Sequence, residues 1–278
     1  MDEYAKVGSG QITLLTAGLI IWIVVPILIA IIWKVKKKES FKTIIIGAVT
    51  FIVFVVVEKL IQNALLFPAT MGLKDHPAST FFGAHAVLLA FMLGLFPGLF
   101  EETGRLVAFK TILKNKKNRE TSISYGIGHG GVEVLFVLGV NFIVYLVYAM
   151  MINNGTYGLM VDQLAAVDPG KVNEGKIMAE QLATLSFGFL AQNVVERVFA
   201  VLFHVGASIL VFYACRDKDR FWLYPLAILL HTAMDFAAGL VLLNIVNLSM
   251  WALEGICAVI GGGIFACGYF LLYKRDEA

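Results

Sequence analysis

Seven long apolar stretches set the rhythm of this chain, at about 12–33, 42–67, 80–113, 121–151, 181–215, 221–247 and 250–273, each closed by a polar interval. A helix needs about 20 apolar residues to cross roughly 30 Å of hydrocarbon, so every stretch is long enough to span. The pattern predicts an all-α, polytopic membrane protein with about seven transmembrane helices, forming a single transmembrane domain over residues 1–278. The third and fifth stretches run well past the roughly 20 residues a span needs, to about 34 and 35, and must tilt, kink or break. Pro97-Gly98 is placed to break the third, because proline removes a helix hydrogen bond and its ring clashes with the preceding turn. The sizeable polar interval at about 152–181 carries Asn153-Asn154-Gly155 and Asp168-Pro169-Gly170. It predicts a loop with one short surface helix.

Charge gives this string of spans a direction. Lys34, Lys36, Lys37 and Lys38 close the first stretch, whereas Asp2 and Glu3 precede it, the reverse of a signal peptide's layout. Lys110, Lys114, Lys116, Lys117 and Arg119, then Arg216, Lys218 and Arg220, then Lys274 and Arg275 mark alternate ends further on, while the opposite ends hold only Lys6, Lys74, Lys171 and Lys176. Positive residues collect on the cytoplasmic side, so the N-terminus and the 152–181 loop are expected outside and the C-terminus in the cytoplasm. Composition agrees with a lipid solvent: of 278 residues 59% are hydrophobic and 15% charged, where soluble domains carry about 25% charged residues. The net charge of +2 leaves no electrostatic footprint for nucleic acid. Cys215, Cys257 and Cys267 show no CxxC spacing, which argues against a disulfide framework or a cysteine-based zinc site.

Against this background the ionisable residues inside the spans stand out. Each costs about 2.5–3.5 kcal/mol at the centre of a membrane helix, yet the stretches hold Glu58, Lys59, Glu101, Glu102, Arg105, Glu133, Glu196, Arg197, Asp235 and Glu254, with His85, His129, His204 and His231. Three sets recur at four-residue spacing and so share a helix face: Glu101 with Arg105, His129 with Glu133, and His231 with Asp235. Counted at about 1.5 Å per residue from the nearest basic cluster, Glu101, His129, Glu133, His204, His231 and Asp235 lie about 14–23 Å deep. Four helices therefore put ionisable groups in one slab, as the lining of a shared polar cavity would. Glu58-Lys59 and Glu196-Arg197 read as mutually neutralised packing pairs, and His85 as an interfacial histidine near the outer edge.

The run Phe100-Glu101-Glu102-Thr103-Gly104-Arg105, then Tyr125-Gly126-Ile127-Gly128-His129-Gly130-Gly131-Val132-Glu133, then Glu196-Arg197 with His204, then His231-Thr232-Ala233-Met234-Asp235 resembles the YhfC family of predicted bacterial intramembrane proteases. That family is related to type II CAAX prenyl endopeptidases, PrsW proteases and the polytopic subunit of gamma-secretase. The resemblance covers about 58–235 and places the catalytic core at about 80–245. It implies a bacterial cell membrane as the location, a catalytic glutamate at Glu101 or Glu102, a histidine at His129 following the aromatic Tyr125, and a closing pair at His231 and Asp235. The chain departs from the CAAX pattern in its EExxR spacing, in Tyr125 for phenylalanine and in Asp235 for asparagine. The spacing leaves open which glutamate faces the cavity.

Peptide hydrolysis needs a base for water, donors for the oxyanion and an acid for the leaving amine. The preferred assignment uses no metal. Glu101 is the base beside Arg105, His129 and His231 donate to the oxyanion, and Asp235 orients His231, with Glu102 and Glu133 in the same cavity. The alternative is a zinc site on His129, His204 and His231, with Glu133 or Asp235 as further acceptors; the absence of an HExxH motif leaves both open. The expected substrate is a membrane-embedded or membrane-anchored peptide reached from the bilayer. Two readings of another class remain, an ion-coupled transporter and a non-catalytic membrane scaffold.

Overall fold

Each apolar stretch becomes a helix because a backbone in hydrocarbon must satisfy its own hydrogen bonds. The computed structural model describes residues 4–70, 76–166 and 170–277, and no strand occurs among them. The helices are α1 (Ser9–Lys37), α2 (Phe41–Thr70), α3 (Pro77–Ala84), α4 (Ala86–Lys110), α5 (Glu120–Asn154, with a π turn at Leu135–Gly139), α6 (Tyr157–Ala165), α7 (Lys171–Ala183), α8 (Phe187–Arg216), α9 (Leu223–Leu242) and α10 (Met250–Cys267, continued by a π turn at Gly268–Tyr273). Seven of them, α1, α2, α4, α5, α8, α9 and α10, are long and apolar enough to cross a membrane. The chain is an all-α, multi-pass membrane protein, as its apolar pattern predicts.

Three boundaries differ from that pattern. Pro97 does not break the third span; it sits inside an uninterrupted α4, and the chain parts at His85, between α3 and α4. The neighbouring helix explains the continuity. A methyl added to Gly94 would lie 2.7 Å from the Phe236 amide nitrogen, and one added to Gly98 2.6 Å from Thr232 Oγ1. Residues on both sides of the proline are thus pressed onto α9, and such packing holds proline-containing membrane helices in line. The fifth span starts at Phe187, and α9 ends at Leu242, just before Asn244 in the left-handed region at φ 55°, a common helix stop. In the described part of the 152–181 interval Gly155, at φ 80°, ends α5, and two helices, α6 and α7, follow in place of one. Lys74, Asp168 and Pro169 lie outside the described residues.

The chain divides into two units, Met1–Leu28 with Val134–Val194, and Ile29–Glu133 with Val195–Ala278. In the first, Trp22 meets Phe142 edge to face at 5.8 Å, and the Asn153 side chain exchanges two 2.8 Å hydrogen bonds with the Val7 backbone. Tyr157 donates to the Gly175 carbonyl at 3.2 Å.

In the second unit the basic helix ends meet. Lys116 donates to Glu39 at 3.0 Å and Asn118 donates at 2.5 Å, joining the α1–α2 turn to the α4–α5 loop. Lys110 donates to the Cys215 carbonyl at 3.1 Å, Arg119 to the Tyr273 carbonyl at 3.1 Å, and Arg216 to Asp276 at 2.5 Å. Burial alone would raise the Glu39 carboxyl, but the Lys116 and Asn118 donors outweigh it and hold Glu39 below the usual carboxylate range. Further in, Phe109, Tyr125, Phe203 and Phe212 belong to a buried aromatic and aliphatic core.

Candidate active site

Glycines bring the ionisable residues of the second unit together. On α4 the stripe Gly94, Gly98 continues one turn later at Glu102, so the face that seats on α9 ends in a carboxylate. Its Oε1 accepts from His231 Nδ1 at 2.9 Å. On α5, a methyl on Gly126 would lie 2.7 Å from Val205 Cα, and one on Gly130 3.4 Å from His204 Cβ. On the α2 side, methyls on Gly128 and Gly47 would overlap the carbonyl oxygens of Ile44 and Tyr125. Small residues here let backbones touch. His129, on the turn these glycines carry, is thereby delivered to Glu101 of α4 and His204 of α8.

Two sets of contacts result. His129 Nε2 lies 2.9 Å from Glu101 Oε2, and its ring centroid is 4.8 Å from that of His204. The second set is a continuous chain of acidic and basic side chains. Asp235 Oδ2 lies 3.5 Å from His231 Nε2, His231 reaches Glu102, and Glu102 forms a short ion pair with Arg105. Arg105 then donates to His204 Nδ1 at 2.6 Å and to Ser208 Oγ at 3.2 Å. His204 Nε2 makes a short contact with Glu133, and Arg197 donates to Glu133 at 3.0 Å and to Glu196 at 2.7 Å. Glu101, Glu102, Arg105, His129, His204 and His231 are all buried, whereas the Asp235 side chain keeps 32% of its surface open. Asp235 is the most exposed side chain of this set.

The residues expected to share a cavity do converge, but their pairing differs in three places. Arg105 neutralises Glu102, three residues before it, and not Glu101, which turns to His129 instead. Glu133 is engaged by His204 and Arg197 rather than by His129, whose Nδ1 is buried with no hydrogen-bond partner among the described residues. His231 has a carboxylate at each nitrogen. Glu196-Arg197, read from sequence as a packing pair, also ties into Glu133. Ser208 belongs to no sequence motif; it sits one turn after His204, whose carbonyl it hydrogen-bonds at 2.7 Å, and it receives Arg105. His85 lies apart, exposed, bonding the Phe81 carbonyl at 2.8 Å and stacking on the Phe81 ring.

Glu101, His129 and His204 each offer one potential ligand atom within 4.8 Å of the other two, and all three residues are buried. Two imidazoles and a carboxylate form a donor set of the kind catalytic zinc uses, leaving a coordination position for water or substrate. The unpartnered His129 Nδ1 leaves that ring free to shift without losing a second bond. These residues suit a zinc ion.

Carboxylates and imidazoles converging between membrane-spanning helices mark proteins that work within the bilayer, enzymes and ion-coupled transporters alike, and the family decides between them. Residues 21–257 match the family model described as YhfC intramembrane metalloprotease, and the chain belongs to that family. It is thus an intramembrane protease by family, and its solvent is the lipid bilayer. It is similar to "Uncharacterized membrane protein YhfC" of Bacillus subtilis (strain 168), at 31% identity over 240 residues, covering 84% of this chain and 82% of that protein. No solved structure matches it.

Proposed function

We propose that the chain is a zinc-dependent intramembrane endopeptidase, with Glu101, His129 and His204 holding the ion. The observation that carries this is the buried convergence of those three side chains, and the family description agrees with it. When bound, zinc would polarise the scissile carbonyl and lower the pKa of a water. The surrounding residues handle protons and geometry. Asp235, the most open carboxylate of the group Glu101, Glu102, Glu133 and Asp235, takes the proton from water. His231 Nε2, 3.5 Å from Asp235 Oδ2, returns a proton to the departing amide nitrogen, so hydroxide adds to carbon and hydrogen to nitrogen as the C–N bond breaks. Glu102 receives His231 Nδ1 and Arg105 together, fixing the ring that carries this proton. To bind the ion His204 would release one of its two partners, Arg105 at Nδ1 or Glu133 at Nε2, and the partner kept on the other nitrogen would orient the ring. The substrate is a peptide bond within or beside a membrane segment, reached past Asp235.

A metal-free reading is favoured by one observation. A guanidinium only donates, so His204 Nδ1 accepts from Arg105 and its Nε2 carries the hydrogen directed at Glu133. A ring in that state has no free lone pair for a metal. Glu101 would then be the base, with His129 and His231 as oxyanion donors.

One experiment separates the two. Purified protein is assayed for zinc by mass spectrometry and for cleavage of membrane-anchored peptides, with and without chelator. The zinc reading expects about one ion per chain, lost from His129→Ala and His204→Ala, and activity lost with the ion. Activity that survives chelation, in protein without zinc, selects the glutamate mechanism. Full activity in both Glu101→Gln and His129→Ala would remove this site from catalysis on either reading.

A further inference from the structure

Where the basic helix ends of the second unit gather, a cavity of about 300 Å³ is lined by Tyr213, Arg220, Leu271, Leu272, Arg275 and Asp276. It owes its shape to the end of α10. The π turn at Gly268–Tyr273, followed by a 3-10 turn at Lys274–Glu277, shifts the side-chain register so that two leucines and then Arg275 and Asp276 line one hollow. Its charges are unequally engaged. Asp276 accepts from Arg216 at 2.5 Å and from the Tyr213 hydroxyl at 3.0 Å, so its negative charge is already compensated. Among the described residues Arg220 pairs only with the exposed Asp217, at 3.2 Å, a contact of little worth in water. Arg275 makes no ion pair among the described residues. Two guanidiniums with spare donors thus share the hollow with two leucines, and Leu271 remains half exposed.

We propose that this hollow is a binding site for a phosphate anion, and that its occupant is the phosphodiester headgroup of an anionic membrane lipid. A guanidinium fork matches phosphate oxygens in geometry as well as charge. Basic pockets between helices at the membrane surface are suited to such headgroups. The apolar lining argues for a lipid over free phosphate: an inorganic ion has no use for Leu271 and Leu272, whereas a lipid lays its glycerol and upper acyl carbons on them. The cavity is also larger than one phosphate requires. The site stands apart from Glu101, His129 and His204, so it does not depend on how the cluster performs hydrolysis.

The test titrates the purified full chain in neutral detergent with dioctanoyl phosphatidylglycerol, dioctanoyl phosphatidylcholine and inorganic phosphate, reading bound species by native mass spectrometry. Phosphatidylglycerol should saturate at about one per chain and bind more tightly than phosphatidylcholine. The Arg220→Gln/Arg275→Gln double variant should weaken it about 30-fold, at roughly fivefold for each basic side chain near a membrane surface. Lys274→Gln serves as control, because Lys274 lies over the Phe270 ring and does not line the cavity; it should change binding little, and its thermal unfolding and that of the double variant should match wild type. Equal binding of the two lipids, or equal weakening by Lys274→Gln, would reduce the effect to general surface charge and overturn the site. Inorganic phosphate binding as tightly as the lipid, with the same arginine dependence, would overturn the lipid as occupant.

Discussion

Removing Arg105 is the most informative single perturbation of the cluster. Its guanidinium has no solvent exposure and serves three buried partners: Glu102, His204 Nδ1 at 2.6 Å and Ser208 Oγ at 3.2 Å. Arg105→Leu would leave Glu102 with His231 alone and His204 Nδ1 with no donor. Breaking a buried ion pair by deleting one partner costs about 3–5 kcal/mol, because the survivor keeps its desolvation penalty without its compensation. Glu102→Leu should cost a similar amount for the mirror-image reason. The double variant, in which neither charge remains, should be less destabilised than the two single changes added together, with a coupling of about 2 kcal/mol or more, since groups in one network are not additive. The measurement is unfolding in mixed detergent micelles followed by circular dichroism for the four proteins of the cycle. Additivity within about 0.5 kcal/mol would refute the reasoning, by showing that Arg105 and Glu102 do not compensate each other.

Other predictions rest on parts of the fold away from that pair. Gly128→Ala, whose methyl would overlap the Ile44 carbonyl oxygen, should cost about 1–3 kcal/mol as overpacking, whereas Gly263→Ala, with open space around it, should be neutral or stabilising; equal unfolding of the two would contradict the contact between α2 and α5. Glu39→Ala should lose about 1.5–3 kcal/mol near neutral pH, the worth of hydrogen bonds to a charged group. Because the Glu39 carboxyl is held low, that contribution is complete above the ordinary carboxylate range and disappears as pH falls through the lowered value. Melting curves of wild type and Glu39→Ala should therefore converge in acid, and a gap independent of pH would count against the clamp. Accessibility tags at the N-terminus and in the 152–181 interval should report outside, and at the C-terminus inside; a cytoplasmic 152–181 interval would reverse the orientation read from the lysines.

Much of this was legible in the sequence because lipid permits few solutions. Length and apolar content alone mark a span, so all seven came through. Charged residues inside spans are costly enough that Glu101, Glu102, Arg105, His129, Glu133, His204, His231 and Asp235 declared themselves. What the sequence could not reveal was decided between helices. Glu101 and Glu102 point about 100° apart on α4, which follows from 3.6 residues per turn, and both lie within helical reach of Arg105. Arg105 went to Glu102 because His129 on α5 and His231 on α9 each approach a different glutamate. Similarly, four-residue spacing allowed Glu133 to serve His129, but His204 and Arg197 on α8 claimed it. Pro97 misled for the same reason, since its effect depended on the seating of Gly94 and Gly98 against α9.

Charge balance bears on the choice between zinc and glutamate chemistry. In the connected cluster five carboxylates, Glu101, Glu102, Glu133, Glu196 and Asp235, face two guanidiniums, Arg105 and Arg197. With neutral histidines the remaining negative charge is too large for the middle of a bilayer to hold uncompensated. Protons on the histidines and carboxylates offer one remedy and a dication another. The dication must free a nitrogen of His204, at the cost of a hydrogen bond to a charged partner, about 1.5–3 kcal/mol. That is small beside the roughly 10–16 kcal/mol with which structural zinc sites bind their ion. The Arg105–His204 contact therefore tempers a metal without preventing it. A positive ion beside Glu101 also reduces the repulsion among the acids, which no rearrangement of the two arginines can do. Zinc at the Glu101, His129 and His204 group would match the donor chemistry and cut the surplus of acid from three charges to one; the glutamate mechanism would meet the same surplus with protons on its histidine donors and on carboxylates other than Glu101.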